Sequence, residues 1–211
     1  MATNARPHSA EKAWLLRALL VLQSPRPVFA AIRDDADEAA GARQEPITAL
    51  VWLAGMAAVL AAPAMNTLMD DPARDGIVVA IIVFFAGGMY GLAAYWLLGA
   101  ILHVCVRAFG SQGSYRRSRH VLGFASAPLA LALLTFWPIR IAVEGSDLFR
   151  YGGSDTGHVF ADLFYIFVAW TVVLVAIGVH TVHGWSWPRA AAAVTAATVV
   201  AALVVAGTAL L

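Results

Sequence analysis

The sequence predicts an all-α polytopic membrane protein: a bundle of five transmembrane helices preceded by an N-terminal amphipathic helix lying in the membrane interface. Three observations lead there. Of its 211 residues, 61% are hydrophobic and only 13% charged. Soluble domains average roughly 45–50% and about 25%, so water could not hide this apolar surface, whereas a bilayer accepts it. Five apolar stretches, 47–69, 77–106, 121–143, 158–181 and 188–211, each reach the length of about 20 residues that crosses hydrocarbon as a helix. Finally, the basic residues sort consistently between alternate loops.

Residues 1–46 form an N-terminal segment and 47–211 the transmembrane domain. Within the segment, the apolar run 13–22 is short, contains Arg17 and leads into Ser24-Pro25-Arg26-Pro27, so it is not a cleavable signal. Trp14, Leu15, Ala18, Leu19 and Leu22 share one helical face, which fits an amphipathic helix on the leaflet. Residues 28–32 read as a second interfacial turn. Asp34, Asp35, Asp37 and Glu38 make the following linker solvated.

Each span is bounded by turn-rich or charged residues: Asp70-Asp71-Pro72, then 110–119, 145–157 and 183–187. The second span is the longest and has a bending point at Gly87-Gly88. Pro128 and Pro138 are expected to bend the third. Trp52, Trp137, Trp185 and Trp187 fall near span ends, as interface anchors do. Backbone groups in lipid must bond within their own segment, which leaves helices as the spanning structure.

Eleven of the 14 lysines and arginines lie in the N-terminal segment, the second loop (Arg107, Arg116, Arg117, Arg119) and the fourth (Arg189). The other side holds Arg74, Arg140 and Arg150 among six acidic residues. The positive-inside rule therefore puts the N-terminus in the cytoplasm and the C-terminus in the periplasm of a bacterial inner membrane. The net charge of +1 and its confinement to loops give no ground for a nucleic-acid partner, and the single cysteine, Cys105, excludes a disulfide framework.

Candidate sites each carry a plain structural reading. Asp162 is the only acid inside an expected span, where an ionised group costs ~2.5–3.5 kcal/mol. It either pairs with Arg140 at similar depth, Arg140 turning alternatively to Glu144 at i+4 spacing, or it lines a transport path with Arg140, Asn66 and Thr67. The arginines 107, 116, 117 and 119, with Trp14 and Arg17, are candidates for contact with anionic lipid or a partner protein; the same cluster also serves simply to fix topology. Gly87-x-x-x-Gly91, Gly123 and Pro128 are candidate helix-packing positions, as are Ala193, Ala197 and Ala201, within one chain or between copies. His103, His120, His180, His183 and Cys105 lack the convergent set of three or four ligands that a metal needs. No metal or cofactor is expected. The sequence has no nucleophile elbow, phosphate loop, dinucleotide fingerprint or intramembrane aspartate pair, so no enzyme is expected either.

Several local patterns occur together. Pro25-Arg26-Pro27-Val28-Phe29-Ala30-Ala31-Ile32 precedes the spans, and a basic loop, Ser114-Tyr115-Arg116-Arg117-Ser118-Arg119, leads into Gly123-Phe124-Ala125-Ser126-Ala127-Pro128. Trp170 lies mid-span, and His183-Gly184-Trp185-Ser186 precedes the last helix. In this the chain resembles the Yip1 domain family, in its bacterial branch, from Ser24 to the C-terminus. The Asp-Leu-Tyr-Gly-Pro motif of eukaryotic members is absent, with Pro46 its nearest counterpart, so their Rab-GTPase role in vesicle traffic is not implied. The resemblance implies the five-helix fold. The expected role is non-enzymatic, an organising or adaptor protein binding lipid, other membrane proteins or further copies of itself; the alternative is a small transporter or channel.

Overall fold

The computed structural model describes residues 16–62, 65, 69, 76–145 and 157–208. The regular structure among these residues is helical throughout. The helices are α1 (Pro25–Ala31), α2 (Asp37–Leu60), α3 (Gly76–Ala108), α4 (Tyr115–Ala125), α5 (Ala127–Leu134), α6 (Phe136–Glu144), α7 (Gly157–His183) and α8 (Trp187–Thr208). Residues 16–20 are helical too.

Among the described residues, four stretches are long and apolar enough to cross a membrane: Gly76–Ala108, Tyr115–Glu144, Val159–His183 and Trp187–Val204. These are the second to fifth expected spans. The first, 47–69, is helical in α2 as far as Leu60, and part of its remainder lies outside the described residues.

The third span is three helices in series. Its breaks fall at Ser126 (φ −75°, ψ −6°) and Thr135 (φ −121°, ψ −58°), two and three residues ahead of Pro128 and Pro138. Each proline lacks an N–H and crowds the turn before it, so the ladder stops upstream of the ring. The Thr135 hydroxyl bonds back to the Leu131 carbonyl at 2.8 Å, competing with the ladder at the second break. The second span shows no interruption at Gly87-Gly88; α3 runs through both. It ends where Gly110 takes φ +88°, with the Gly110 N–H on the Arg107 carbonyl (2.8 Å) and the Ser111 N–H on that of Val106 (2.9 Å).

The chain divides into two compact units. Unit 1 comprises Met1–Ala49, Ala94–Ala125 and Val172–Leu211; unit 2 comprises Leu50–Ala93 and Ser126–Thr171.

Unit 2 is held by absent side chains and by rings. A Cβ added to Gly55 of α2 would lie 2.1 Å from the Gly87 carbonyl and 2.6 Å from the Gly91 Cα. One added to Gly91 would lie 2.3 Å from the Val51 carbonyl. Gly87 and Gly91 therefore seat α2 on α3 within one chain. In lipid no hydrophobic force draws helices together, so close backbone approach carries the association. Beside this crossing, the Phe136 ring lies 5.7–6.0 Å from those of Trp137, Phe160, Phe164 and Phe167. Trp137, expected as an interface anchor, is buried here: its ring is part of this aromatic cluster, with Ala57 and Ala132 leaving room beside it.

In unit 1 the short helix α1 buries one face and leaves Arg26, Pro27 and Ala30 exposed. Val28, Phe29 and Ile32 form one narrow apolar face, and all three are buried. The room comes from Gly178 of α7: a Cβ there would meet Val121 at 2.6 Å and the Phe29 ring at 3.2 Å. A glycine 149 residues on from Phe29 leaves no trace in the local pattern that suggested an interfacial turn. Gly123 of α4 similarly admits Ile47 and Tyr95, and Ala190, Ala193 and Ala197 of α8 are buried within the unit.

Candidate interaction site

The segment between α1 and α2 is irregular, so its carbonyls need partners outside any ladder. Arginines supply them. Arg43, one turn and a half into α2 and fully buried, folds back to donate to three carbonyls: Nε to Ala39 (2.8 Å), Nη1 to Ala31 (3.3 Å) and Nη2 to Asp34. Arg117 Nη2 donates to the Arg33 carbonyl at 2.9 Å, and Arg116 Nη2 to that of Asp35. The guanidinium suits this work because its five N–H donors sit in one rigid plane and reach several acceptors at once.

The linker acids complete the clamp. Arg116 pairs through Nε with Asp35 at 2.9 Å and through Nη1 with Asp37 at 2.6 Å. The Ser114 hydroxyl donates to the other Asp35 oxygen at 2.5 Å while accepting the Arg117 N–H at 3.1 Å, which makes it the N-cap of α4. Burial by itself raises the pKa of Asp35, but the hydrogen bonds from Ser114 and Arg116 and the charges of Arg116 and Arg117 outweigh it. The carboxyl is held below its ordinary value.

Two further arginines extend the network. Arg33 Nε donates to the Thr181 carbonyl near the end of α7 (3.0 Å). Arg189 Nε donates to the Phe109 carbonyl (3.0 Å) and places its guanidinium 4.3 Å from the centre of the Trp185 ring. His183 Nδ1 lies 3.2 Å from the Ser111 hydroxyl, which accepts the Gly113 N–H at 3.0 Å. Three stretches far apart in sequence, 31–37, 109–117 and 181–189, are thereby tied together. The linker is exposed at Asp34, Asp37 and Glu38, as expected of a solvated segment, and is also gripped from several sides. The polar groups named here are engaged with one another, which makes the arrangement a structural tie and a charged surface rather than a set of groups poised to react.

The remaining sequence candidates separate. Arg107 and Arg17 are exposed, and Trp14 lies outside the described residues, as do Asn66 and Thr67. Arg119 is buried away from the clamp, among the aromatic residues Tyr95, Trp96 and Tyr115. Arg140 bonds Glu144 at 2.9 Å, one turn on, and lies over Trp137, while Asp162 is exposed and makes no ion pair among the described residues. The histidines have different neighbours: His103 meets Ser118 and Tyr115, His180 stacks on Trp187 at 4.0 Å, and His183 meets Ser111 and Trp185. Sequence reasoning missed Arg33, Asp35, Asp37, Arg43 and Ser114 as members of a site. The available signal was the opposite sign of the 34–37 linker and the 116–117 pair.

The clamp and the helices it joins fall within one domain match: a Yip1 domain spans residues 19–209. The chain belongs to the Yip1 domain family. No curated protein and no solved structure matches it. The Yip1 match begins ahead of α1 and so includes the docked segment together with the apolar helices. Domain and helices together identify a membrane protein.

Proposed function

We propose that this Yip1-domain protein is a non-enzymatic organising or adaptor protein of the bacterial inner membrane. Five helices cross the bilayer, α2 being the first, with the N-terminus in the cytoplasm and the C-terminus in the periplasm. The bias of arginine and lysine toward alternate loops supports that orientation, and the apolar run of α2 from Ile47 supports the fifth crossing. The observation that carries the adaptor reading is the clamp. It spends seven polar or charged side chains, Arg33, Asp35, Asp37, Arg43, Ser114, Arg116 and Arg117, on holding one short segment against the ends of the helices. A surface built from three chain segments in fixed register suits recognition of another membrane protein.

The test is recovery of the full chain in native-lipid nanodiscs, beside an Asp35→Ala/Arg116→Ala double variant, with mass spectrometry of what accompanies each. A membrane-protein partner present near stoichiometry with the native chain and depleted several-fold with the variant is the expected result. A native particle holding this chain and bulk lipid alone defeats the reading, as does a partner retained equally by both forms.

A further inference from the structure

Arg119 is a buried cation without a counter-ion. It lies in the second turn of α4, is 9% exposed, and has no ion pair or hydrogen bond among the described residues; its Nε and Nη1 are enclosed and unpartnered. Gly99 of α3 makes room for its stem, since a Cβ there would lie 2.5 Å from the Arg119 Cγ. One turn earlier on α3, Trp96 offers its ring face 3.5 Å from the guanidinium carbon, with Tyr115 at 5.0 Å and Tyr95 at 5.4 Å. The Tyr115 hydroxyl donates to the Trp96 carbonyl at 2.7 Å, which fixes that wall. The Tyr95 hydroxyl is buried and has no partner either.

Stacking on rings uses the faces of a guanidinium and leaves its in-plane N–H groups unspent. A buried charge in that condition calls for an anion. Three features indicate which one. Arg119 lies four residues, about 6 Å along the axis, inside the end of a stretch long and apolar enough to cross a membrane, Tyr115–Glu144. The Trp96 wall is half exposed, and Leu97 and Val104 of the same helix are exposed beside it, an apolar surface fit for acyl chains. No carboxylate pairs with the guanidinium among the described residues, and Nη2, the one guanidinium nitrogen that is not enclosed, can donate to a phosphodiester oxygen.

We propose that Arg119, stacked on Trp96, presents Nη2 to the phosphodiester of a single phospholipid whose chains lie along the Leu97 and Val104 face of α3. This is separate from the clamp and needs no protein partner, so it stands or falls independently of the adaptor reading.

Native mass spectrometry of the full chain in mild detergent, beside Arg119→Gln and Arg119→Lys, tests it. The native chain is expected to retain one phospholipid. Retention falls about tenfold in Arg119→Gln, since a charge-assisted hydrogen bond is lost, and takes an intermediate value in Arg119→Lys, which keeps charge but loses the fork. Equal retention by a folded Arg119→Gln overturns the proposal. Should that variant fail to fold, the delipidated native chain decides the matter through its thermal unfolding with three probes: short-chain phosphatidylglycerol, a diacylglycerol of equal chain length, and inorganic phosphate. Stabilisation by phosphatidylglycerol at a concentration at least about tenfold below either of the others supports the phospholipid site. Equal stabilisation by the diacylglycerol, equal potency of inorganic phosphate, or no shift with any probe overturns it, and an ordered water or a carboxylate then satisfies Arg119.

Discussion

The helix crossing of unit 2 and the turns of unit 1 cohere by opposite means. In unit 2, helices meet where side chains are missing: Gly55, Gly87 and Gly91 bring two backbones together, and a cluster of rings around Phe136 fills the adjoining volume. In unit 1, cohesion at the turns comes from long cationic side chains whose donors are spread over carbonyls of otherwise unpaired backbone. Apolar helices in lipid gain nothing from hiding hydrophobic surface, so contact distance decides their association. Irregular backbone has the reverse problem, a surplus of acceptors, and arginine relieves it. The contrast predicts that the helix crossing of unit 2 is sensitive to added volume and insensitive to acid, while the turns of unit 1 are sensitive to lost donors.

The largest effect is expected at the helix crossing. Gly91→Val puts side-chain atoms where even a Cβ lies 2.3 Å from the Val51 carbonyl. The two helices must part, at a cost at or above the top of the ~1–3 kcal/mol range for overpacking. The variant should lose its monodisperse gel-filtration peak in detergent. The internal control is Gly41→Ala in α2, where nothing lies within 4 Å of the added carbon; it should be neutral or stabilise by about 0.5–1 kcal/mol through helix propensity. If both substitutions behave alike, contact distance is not what holds unit 2.

A smaller loss is expected in unit 1. Arg43→Met keeps the volume of a fully buried side chain but withdraws the donors from Ala31, Asp34 and Ala39. Asp34 is exposed, so water can take over part of the role, and the cost should stay near ~1–3 kcal/mol. Amide exchange should speed up across residues 31–37 and stay unchanged around Gly55. Acceleration in both units would show that the division into separate modes of cohesion is wrong.

How far the sequence disclosed this structure follows from the range of its forces. Apolar length is a local property, so the second to fifth spans were legible as such, although the third begins at Tyr115, six residues ahead of the expected start and within the stretch read as a basic loop. Proline chemistry is local as well, and it located the interruptions of the third span near residues 126 and 135. The i+4 spacing of Arg140 and Glu144 announced one of the two pairings weighed for that arginine. The burial of Phe29 was not legible, because nothing near it in sequence announces Gly178, which makes room for its ring. The clamp was barely legible for the same reason: Asp35 and Arg116 are 81 residues apart, and only their opposite charge hints that one meets the other. Arg119 was grouped with its basic neighbours because one turn of helix separates a residue that faces the linker from one that faces Trp96.

The smallest effect expected is in acid, and it separates the units most cleanly. The Asp35 carboxyl has a folded pKa below its ordinary value. Its contribution to holding the linker is therefore fully present above the unfolded carboxyl range, near ~3.9, and is lost as pH falls through the lower folded value. Protection of the amides at 33–37 should hold steady from pH 7 to pH 5 and decline only below about pH 4. Asp35→Asn should lower protection at neutral pH and flatten the acid limb, because the neutral amide keeps the shape but gives up the charge that Arg116 meets. The helix crossing of Gly55, Gly87 and Gly91 has no titrating group in its contact, so its exchange should not respond over that range. Loosening of both regions at one pH would mean that acid acts on the chain globally, and Asp35 would lose its particular role in the clamp.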